Sequence, residues 1–210
     1  MLDTVIFDFD GTLADTSGLV INSFQTVYKK FHGEEKPVDY ISKFFGEPLR
    51  VTLEREFTQP LEEVMKEYRE YQVSRFNDDV KLFNNAKEIL QYLKSKNIKT
   101  AIVTSRMKFS VEQALHDFDI KKYFDVVIAI EDTKNHKPHP EPLWKAIDML
   151  GTSPDKVLFV GDSKYDIECA INANATPVLV GWSIEIEELR NQYNIKHIID
   201  DFSNIEKLIP

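Results

Sequence analysis

The chain has a single cysteine in 210 residues, so Cys169 has no intramolecular partner and no disulfide framework can hold the fold. It also lacks any apolar run approaching the roughly 20 residues that a membrane-spanning helix requires. Nothing at the amino terminus reads as a charged segment followed by an apolar one, so no secretory leader is expected. Basic side chains are in deficit. Against 35 Asp and Glu stand 26 Lys and Arg, a net charge of -9. That sign is wrong for neutralising a nucleic-acid backbone or docking on anionic lipid, so neither nucleic acid nor membrane is an expected partner. No internal repeat or low-complexity segment occurs. These absences together predict a soluble protein of a reducing, cytoplasmic compartment, with Cys169 an inert buried thiol in an apolar stripe beside Ile167 and Ile171. The same acidity means that an anionic substrate needs a local arrangement of cations, which makes a bound metal ion attractive.

With 42% hydrophobic residues, the chain is long enough for one sizeable core or for a main domain with a small accessory one. Six short runs are apolar and rich in β-branched residues: "TVIFDF" (4–9), "KTAIVTS" (99–105), "VVIAI" (126–130), "KVLFVGD" (156–162), "TPVLVG" (176–181) and "KHIID" (196–200). Continuous rather than alternating apolar patterns predict strands covered on both faces. Helix-like segments at 85–97, 110–118, 140–150 and 163–174 lie between them. The alternation predicts an α/β fold, a Rossmann-like doubly wound parallel sheet, with chemistry gathered beyond the carboxyl ends of the strands. Residues 16–81 break the pattern. Four helix-like stretches follow one another there, three of them opened by Pro37, Pro48 and Pro60 at the expected first turn. The expected organisation is a core domain of residues 1–15 and 82–210 with a small inserted helical-bundle cap of residues 16–81.

The first strand is built for burial yet ends in Asp8 and Asp10. Two residues apart on an extended chain they start on one side, and Gly11 then turns the backbone so that the two carboxylates diverge around one volume. Two such charges repel unless a cation joins them, and magnesium, with its preference for oxygen ligands, fits. Asp15 reads as an ordinary N-cap of the following helix. Another apolar strand ends in Asp162, with Asp166 one helical turn later. Asp166 also has the capping-box spacing from Ser163, so cap and ligand both remain open for it. In "IVTSR" the strand ends in Thr104 and Ser105, whose hydroxyls at a helix start can hold a phosphate oxygen. Lys137 precedes the proline-rich turn "KPHPEP". Prolines 138 and 140 rule out the helical alignment that would make His136 and His139 a zinc pair.

In this order, the features resemble the haloacid dehalogenase superfamily of phosphotransferases: "DFDGT" is similar to its first motif, Thr104 or Ser105 to its second, Lys137 to its third and "GDSKYD" to its fourth. The insertion between the first and second motifs resembles the four-helix cap of the branch containing phosphoglycolate phosphatase and β-phosphoglucomutase. The stretch from Phe124 to Gly151 is most similar to bacterial phosphoglycolate phosphatases and the related inorganic pyrophosphatase. Asn174 stands where relatives usually carry glycine; it too tolerates the left-handed conformation of a helix C-cap.

The resemblance implies a hydrolase acting through an aspartyl-phosphate. Asp8 is the implied nucleophile and Asp10 the acid and base. Magnesium is implied on Asp8, the Asp10 carbonyl, Asp162 and Asp166. Lys137 with Thr104 or Ser105 is implied to hold the phosphoryl oxygens, the strand-end position favouring Thr104. Substrate selection is implied in the cap, with Gly46 and Arg50 in "FFGEPLR" as candidates and Arg106 and Lys108 as further cations. The expected substrate is a small phosphate monoester or a diphosphate, handled by a monomer or homodimer; a β-phosphoglucomutase-like isomerase is the alternative. A dehalogenase is disfavoured by Asp10, and a phosphonate-cleaving relative by the ordinary polar setting of Lys29 and Lys30. A phosphoacceptor signalling module is disfavoured by Asp10 and by the inserted helices.

Overall fold

The six β-rich runs form one parallel sheet. In this computed structural model, which describes residues 2–209, its strands are β1 (Thr4–Phe7), β4 (Lys99–Val103), β5 (Val126–Ile128), β6 (Val157–Gly161), β7 (Thr176–Val180) and β8 (His197–Ile199). They lie in the order β5-β4-β1-β6-β7-β8, and each adjacent pair is parallel. After β1 the chain builds outward through β4 and β5, then returns to the other side of β1 for β6, β7 and β8. Strand order therefore reverses at β1, the position where an open parallel sheet leaves a crevice beyond its carboxyl ends.

The chain divides into two compact units, Met1–Ala14 with Leu82–Pro210, and Asp15–Lys81. Two-residue strands at the crossings, β2 (Ala14–Asp15) and β3 (Lys81–Leu82), pair as a separate small sheet.

In the first unit the helices are α5 (Ala86–Ser95), α6 (Lys108–Asp117), α7 (Glu141–Leu150), α8 (Lys164–Asn172) and α9 (Ile186–Gln192). Every residue of β1 and β6 is buried, as a sheet covered on both faces demands. Side chains at alternate positions face α7 and α8: Ile6, Ala101, Val103 and Phe159 pack with Leu143, Ala146, Ile147, Cys169 and Ala170. Phe7, pointing the other way, meets Phe124 and Phe202 edge-on at 6.4 and 6.2 Å between ring centres.

Seven glycines are few for a chain of this size, and Asn85, Asn97, Asp119 and Asn174 take up left-handed backbone in their stead, Asn174 at φ 59° just past Ala173, the C-cap of α8. These are the two residue types whose short polar side chains lower the cost of that conformation. Cys169 is fully buried, its Sγ 3.4 Å from the His139 carbonyl, and burial pushes its thiol up to about 12.

The second unit consists of α1 (Ser17–His32), α2 (Val38–Ser42), α3 (Leu49–Glu56) and α4 (Leu61–Asp79). Its own core is aromatic: Phe24, Tyr28, Phe44, Phe57 and Tyr68 pack with Val27, Ile41, Leu53, Val64 and Met65. Pro37, Pro48 and Pro60 occupy the N-cap position of α2, α3 and α4, one residue ahead of the expected first turn; their extended ψ angles let each proline end the loop rather than begin the helix. Asp15 likewise acts from one position further out. Thr16 is the N-cap of α1, and the Asp15 carboxylate accepts the Ser17 amide at 3.2 Å.

One carboxylate ties three of these helices. Glu56 on α3 accepts the hydroxyls of Tyr28 on α1 and Tyr40 on α2, each at 2.8 Å, and Nε of Arg55 at 3.0 Å. Burial alone would raise the Glu56 carboxyl, but the two hydroxyls and Arg55 outweigh it and hold the group below its ordinary range. Replacing Glu56 with Gln is therefore expected to cost about 1–2 kcal/mol of stability to urea at neutral pH. A depressed folded-state value contributes stability that is present above the unfolded value and is lost as pH falls through the folded one. The unfolding midpoints of wild type and variant, followed by circular dichroism, should therefore converge as the pH is lowered.

Candidate active site

Three adjacent strands end in polar residues at the reversal point. Asp8 follows β1, Thr104 follows β4 and Asp162 follows β6, and the ladder carries each into place: the Asp8 amide donates to the Val160 carbonyl at 2.9 Å and the Thr104 amide to that of Ile128 at 3.0 Å. Lys137, delivered by the loop before α7, reaches Asp8 Oδ1 and Asp166 Oδ1, each at 2.7 Å. Asp166, in the first turn of α8, does two things at once: its Oδ2 accepts the Ser163 amide at 3.1 Å and the Ser163 hydroxyl at 2.6 Å, while Oδ1 faces Lys137. The two readings left open for Asp166, a cap and a site residue, are thus compatible.

Carboxylate oxygens of Asp8, Asp162 and Asp166 lie within 4.8 Å of one another. All three are buried, at 5, 9 and 1% exposure, and Lys137 is buried beside them at 4%. Fully ionised, three carboxylates against one ammonium would leave two negative charges without a counter-charge in a region largely shielded from water. Burial first, and then the neighbouring acids, hold the Asp8 and Asp162 carboxyls above the usual carboxylate range. Burial pulls Lys137 down, but Asp166 and Asp8 outweigh it and keep the ammonium charged. Asp162 receives a hydrogen bond from the Thr12 hydroxyl at 3.3 Å. An all-oxygen donor set carrying this surplus charge fits a hard divalent cation. The backbone fits as well. A Cβ on Gly11, whose φ is +75°, would stand 2.2 Å from Asp162 Oδ2, and one on Gly161 would stand 2.2 Å from the Asp166 Cβ, so both strand-end turns need glycine for the acids to converge.

The Asp10 carboxylate faces another way. It is held by Nη1 of Arg106 and is 31% exposed. Thr104 Oγ1 accepts the Arg106 amide at 3.1 Å, which leaves its hydroxyl proton available to donate, and Ser105 Oγ is buried with no hydrogen-bond partner. Lys108 pairs with Asp132 at 3.1 Å. In the second unit Gly46 turns at φ +77°; Arg50 lies exposed on α3 with Glu54 at 2.9 Å and Glu62 at 3.6 Å.

Two further contacts brace the site. The Trp182 indole donates to the Gly11 carbonyl at 3.0 Å and the Ser183 hydroxyl to the Asp162 carbonyl. Both residues follow the end of β7, and polar character just past an apolar strand is the same signal that marked Asp8 and Asp162.

A family model described as haloacid dehalogenase-like hydrolase matches residues 5–180. The chain belongs to the haloacid dehalogenase-like hydrolases. It is 38% identical over 208 residues, 99% of its length and 94% of the relative's, to the "Putative pyrophosphatase PpaX" of Caldanaerobacter subterraneus subsp. tengcongensis. Among solved structures, a "Putative haloacid dehalogenase-like hydrolase" of Bacteroides fragilis superposes with a TM-score of 0.90 at 28% identity, covering 98% of this chain and 100% of that one. A "putative beta-phosphoglucomutase" of Thermotoga maritima superposes at 0.80 with 28% identity and full coverage of both. Membership of this hydrolase family agrees with acids gathered at the carboxyl ends of parallel strands. Among the described residues no helix is long and apolar enough to cross a membrane.

If surplus charge is what the acid cluster carries, removing one carboxylate should help the metal-free protein. Asp162→Asn is expected to raise its stability by about 1 kcal/mol, roughly 2–4 °C in melting temperature for a chain of this size. A divalent cation is expected to shift the wild-type melting temperature upward, and the same change should abolish that shift. A melting curve with and without the cation reads both effects without recourse to activity.

Proposed function

We propose that this haloacid dehalogenase-like hydrolase is a magnesium-dependent phosphatase that hydrolyses a small phosphate ester or diphosphate through an aspartyl-phosphate on Asp8. The observation that carries the reading is the placement of Asp8 at the sheet's reversal point, buried against Lys137 and within 4.8 Å of Asp162 and Asp166. The named pyrophosphatase relative, which aligns over nearly the whole chain, favours diphosphate within this class.

Asp8, Asp162 and Asp166, with the Asp10 carbonyl, would hold the magnesium ion. When bound, the ion neutralises the surplus charge of the cluster and draws electron density from a phosphoryl oxygen, easing attack at phosphorus. An Asp8 oxygen attacks phosphorus, and the bond from phosphorus to the bridging oxygen breaks. The Asp10 carboxyl gives its proton to that oxygen as it departs. Asp10, now a carboxylate, takes a proton from water, whose oxygen attacks the phosphoryl group and releases phosphate while restoring Asp8. Lys137, the Thr104 hydroxyl and the Ser105 hydroxyl would hold the oxygens on which charge develops. The helical unit of residues 15–81 serves as the cap that selects substrate, with Gly46 and Arg50 as candidate determinants. A reducing cytoplasm suits a chain whose one thiol is buried and unpaired.

The likeness to a β-phosphoglucomutase structure favours a second reading, an isomerase that returns the phosphoryl group to a sugar. Release of inorganic phosphate separates the two. With magnesium, the wild type is expected to release phosphate from diphosphate or phosphoglycolate and to leave β-glucose 1-phosphate unisomerised. Asp8→Asn should lower kcat at least ~10³-fold with the fold intact by circular dichroism, and chelation should reduce wild-type turnover similarly. Full activity of Asp8→Asn would overturn the proposal.

A further inference from the structure

Charge repulsion poses a problem that Lys137 does not solve. The protein as a whole is acidic, and the Lys137 ammonium is shared between Asp8 and Asp166, so any charge on the part of the substrate that leaves needs another counter-ion. Lys108 is engaged by Asp132 and its side chain is half exposed. Arg106 is different. Its side chain is only 8% exposed, its Nε donates to Ser110 Oγ at 2.9 Å, and its guanidinium lies 5.7 Å from the centre of the Phe9 ring. Its backbone is fixed on both sides, the amide to Thr104 Oγ1 at 3.1 Å and the carbonyl to the Ile130 amide at 3.0 Å. This rigid placement brings Nη1 onto Asp10 Oδ1.

We propose that Arg106 is a specificity-determining residue that recognises an anion on the leaving portion of the substrate, either a phosphoryl group or a carboxylate one or two bonds beyond the bridging oxygen. The inference rests on the phosphatase reading above and narrows its substrate class. Asp10, to protonate the bridging oxygen, has to come within about 3 Å of it. A guanidinium already hydrogen-bonded to Asp10 would then stand one hydrogen bond further along, on the side from which Asp10 meets the leaving portion. A group one or two bonds beyond the bridging oxygen would then fall within its reach. If that group is an anion, the planar fork can take it in two parallel hydrogen bonds, a geometry that a lysine point charge does not offer. The anion also relieves Asp10 of its partner, so the carboxyl turns to the bridging oxygen as the substrate seats. A neutral leaving portion, such as that of an alkyl or sugar phosphate, provides no such exchange.

The test compares wild type, Arg106→Gln and Arg106→Lys on diphosphate, phosphoglycolate and ethyl phosphate, measuring kcat/KM by phosphate release with magnesium. The quantity of interest is each anionic substrate's kcat/KM divided by that for ethyl phosphate. Loss of a charged hydrogen-bonding pair predicts a fall in this ratio of about 10- to 100-fold in Arg106→Gln, with partial recovery in Arg106→Lys. The diphosphate and phosphoglycolate arms tell a phosphoryl from a carboxylate leaving portion. An equal loss on all three substrates would show that Arg106 acts through Asp10 alone and would overturn the inference while leaving the phosphatase reading intact. Should Arg106→Gln fail to fold by its melting curve, the ratio in Arg106→Lys decides, since it too must fall several-fold. A wild type that releases phosphate from none of the three overturns the phosphatase reading, and the inference with it.

Discussion

Like charge is concentrated where the sheet can least tolerate it. Asp8, Asp162 and Asp166 meet in a buried pocket with one ammonium between them, and each feature of the surroundings follows from that constraint. Lys137 is shared because a second lysine would have to be desolvated at a cost of several kcal/mol. Asp166 is anchored through its other oxygen by Ser163, which keeps the carboxylate from swinging away from its neighbours. Gly11 and Gly161 have no side chain because the acids occupy the space that a Cβ would need. Trp182 and Ser183 grip the carbonyls of Gly11 and Asp162 from the end of the next strand. The arrangement is held open against its own repulsion by covalent connection to strands that are themselves buried.

Those strands supply the stability that the site lacks. β1 lies between β4 and β6, its residues Thr4 to Phe7 paired on both sides, and Ile6 and Phe7 point into opposite apolar layers. Burying a side chain of that size contributes about 1.5–3 kcal/mol, so a few central strand residues offset the penalty of a strained polar end. The cost is local and the compensation is distributed. Position in the strand decides the matter: the same three acids on a peripheral loop would be hydrated and normal in their titration.

Much of this was legible in the sequence, for a reason that belongs to parallel sheets. A strand covered on both faces must be apolar throughout, so the residue where the run stops is conspicuous, and Asp8, Thr104 and Asp162 are all such residues. The six apolar runs correspond to the six strands of the sheet. The helix α9 was not anticipated, because Ile186–Gln192 is only seven residues long and its apolar positions, Ile186 and Leu189, span a single turn. Pairings across long separations were hidden as well. Arg106 meets Asp10 across 96 positions and Trp182 meets Gly11 across 171; composition and periodicity describe neighbours along the chain, whereas these contacts are set by which strands lie side by side. The double use of Asp166 was ambiguous for a different reason. A carboxylate has two oxygens, and one-dimensional spacing assigns it one partner.

The two acids of the first strand end illustrate how environment rather than residue type separates their chemistry. Asp8 and Asp10 are the same side chain two positions apart, yet one is buried against an ammonium and two further carboxylates, and the other is a third exposed and bonded to a guanidinium. The turn at Gly11 is what divides them, because a continued strand would have left both pointing the same way into one dielectric. In the proposed mechanism a nucleophile needs a counter-charge, which Lys137 and a bound cation would give Asp8, whereas a proton donor and acceptor must exchange with water, which favours the rim. One left-handed glycine therefore helps to give a repeated residue two distinct surroundings, and the close approach of Asp162 to that same glycine ties the division to the position of the acid cluster.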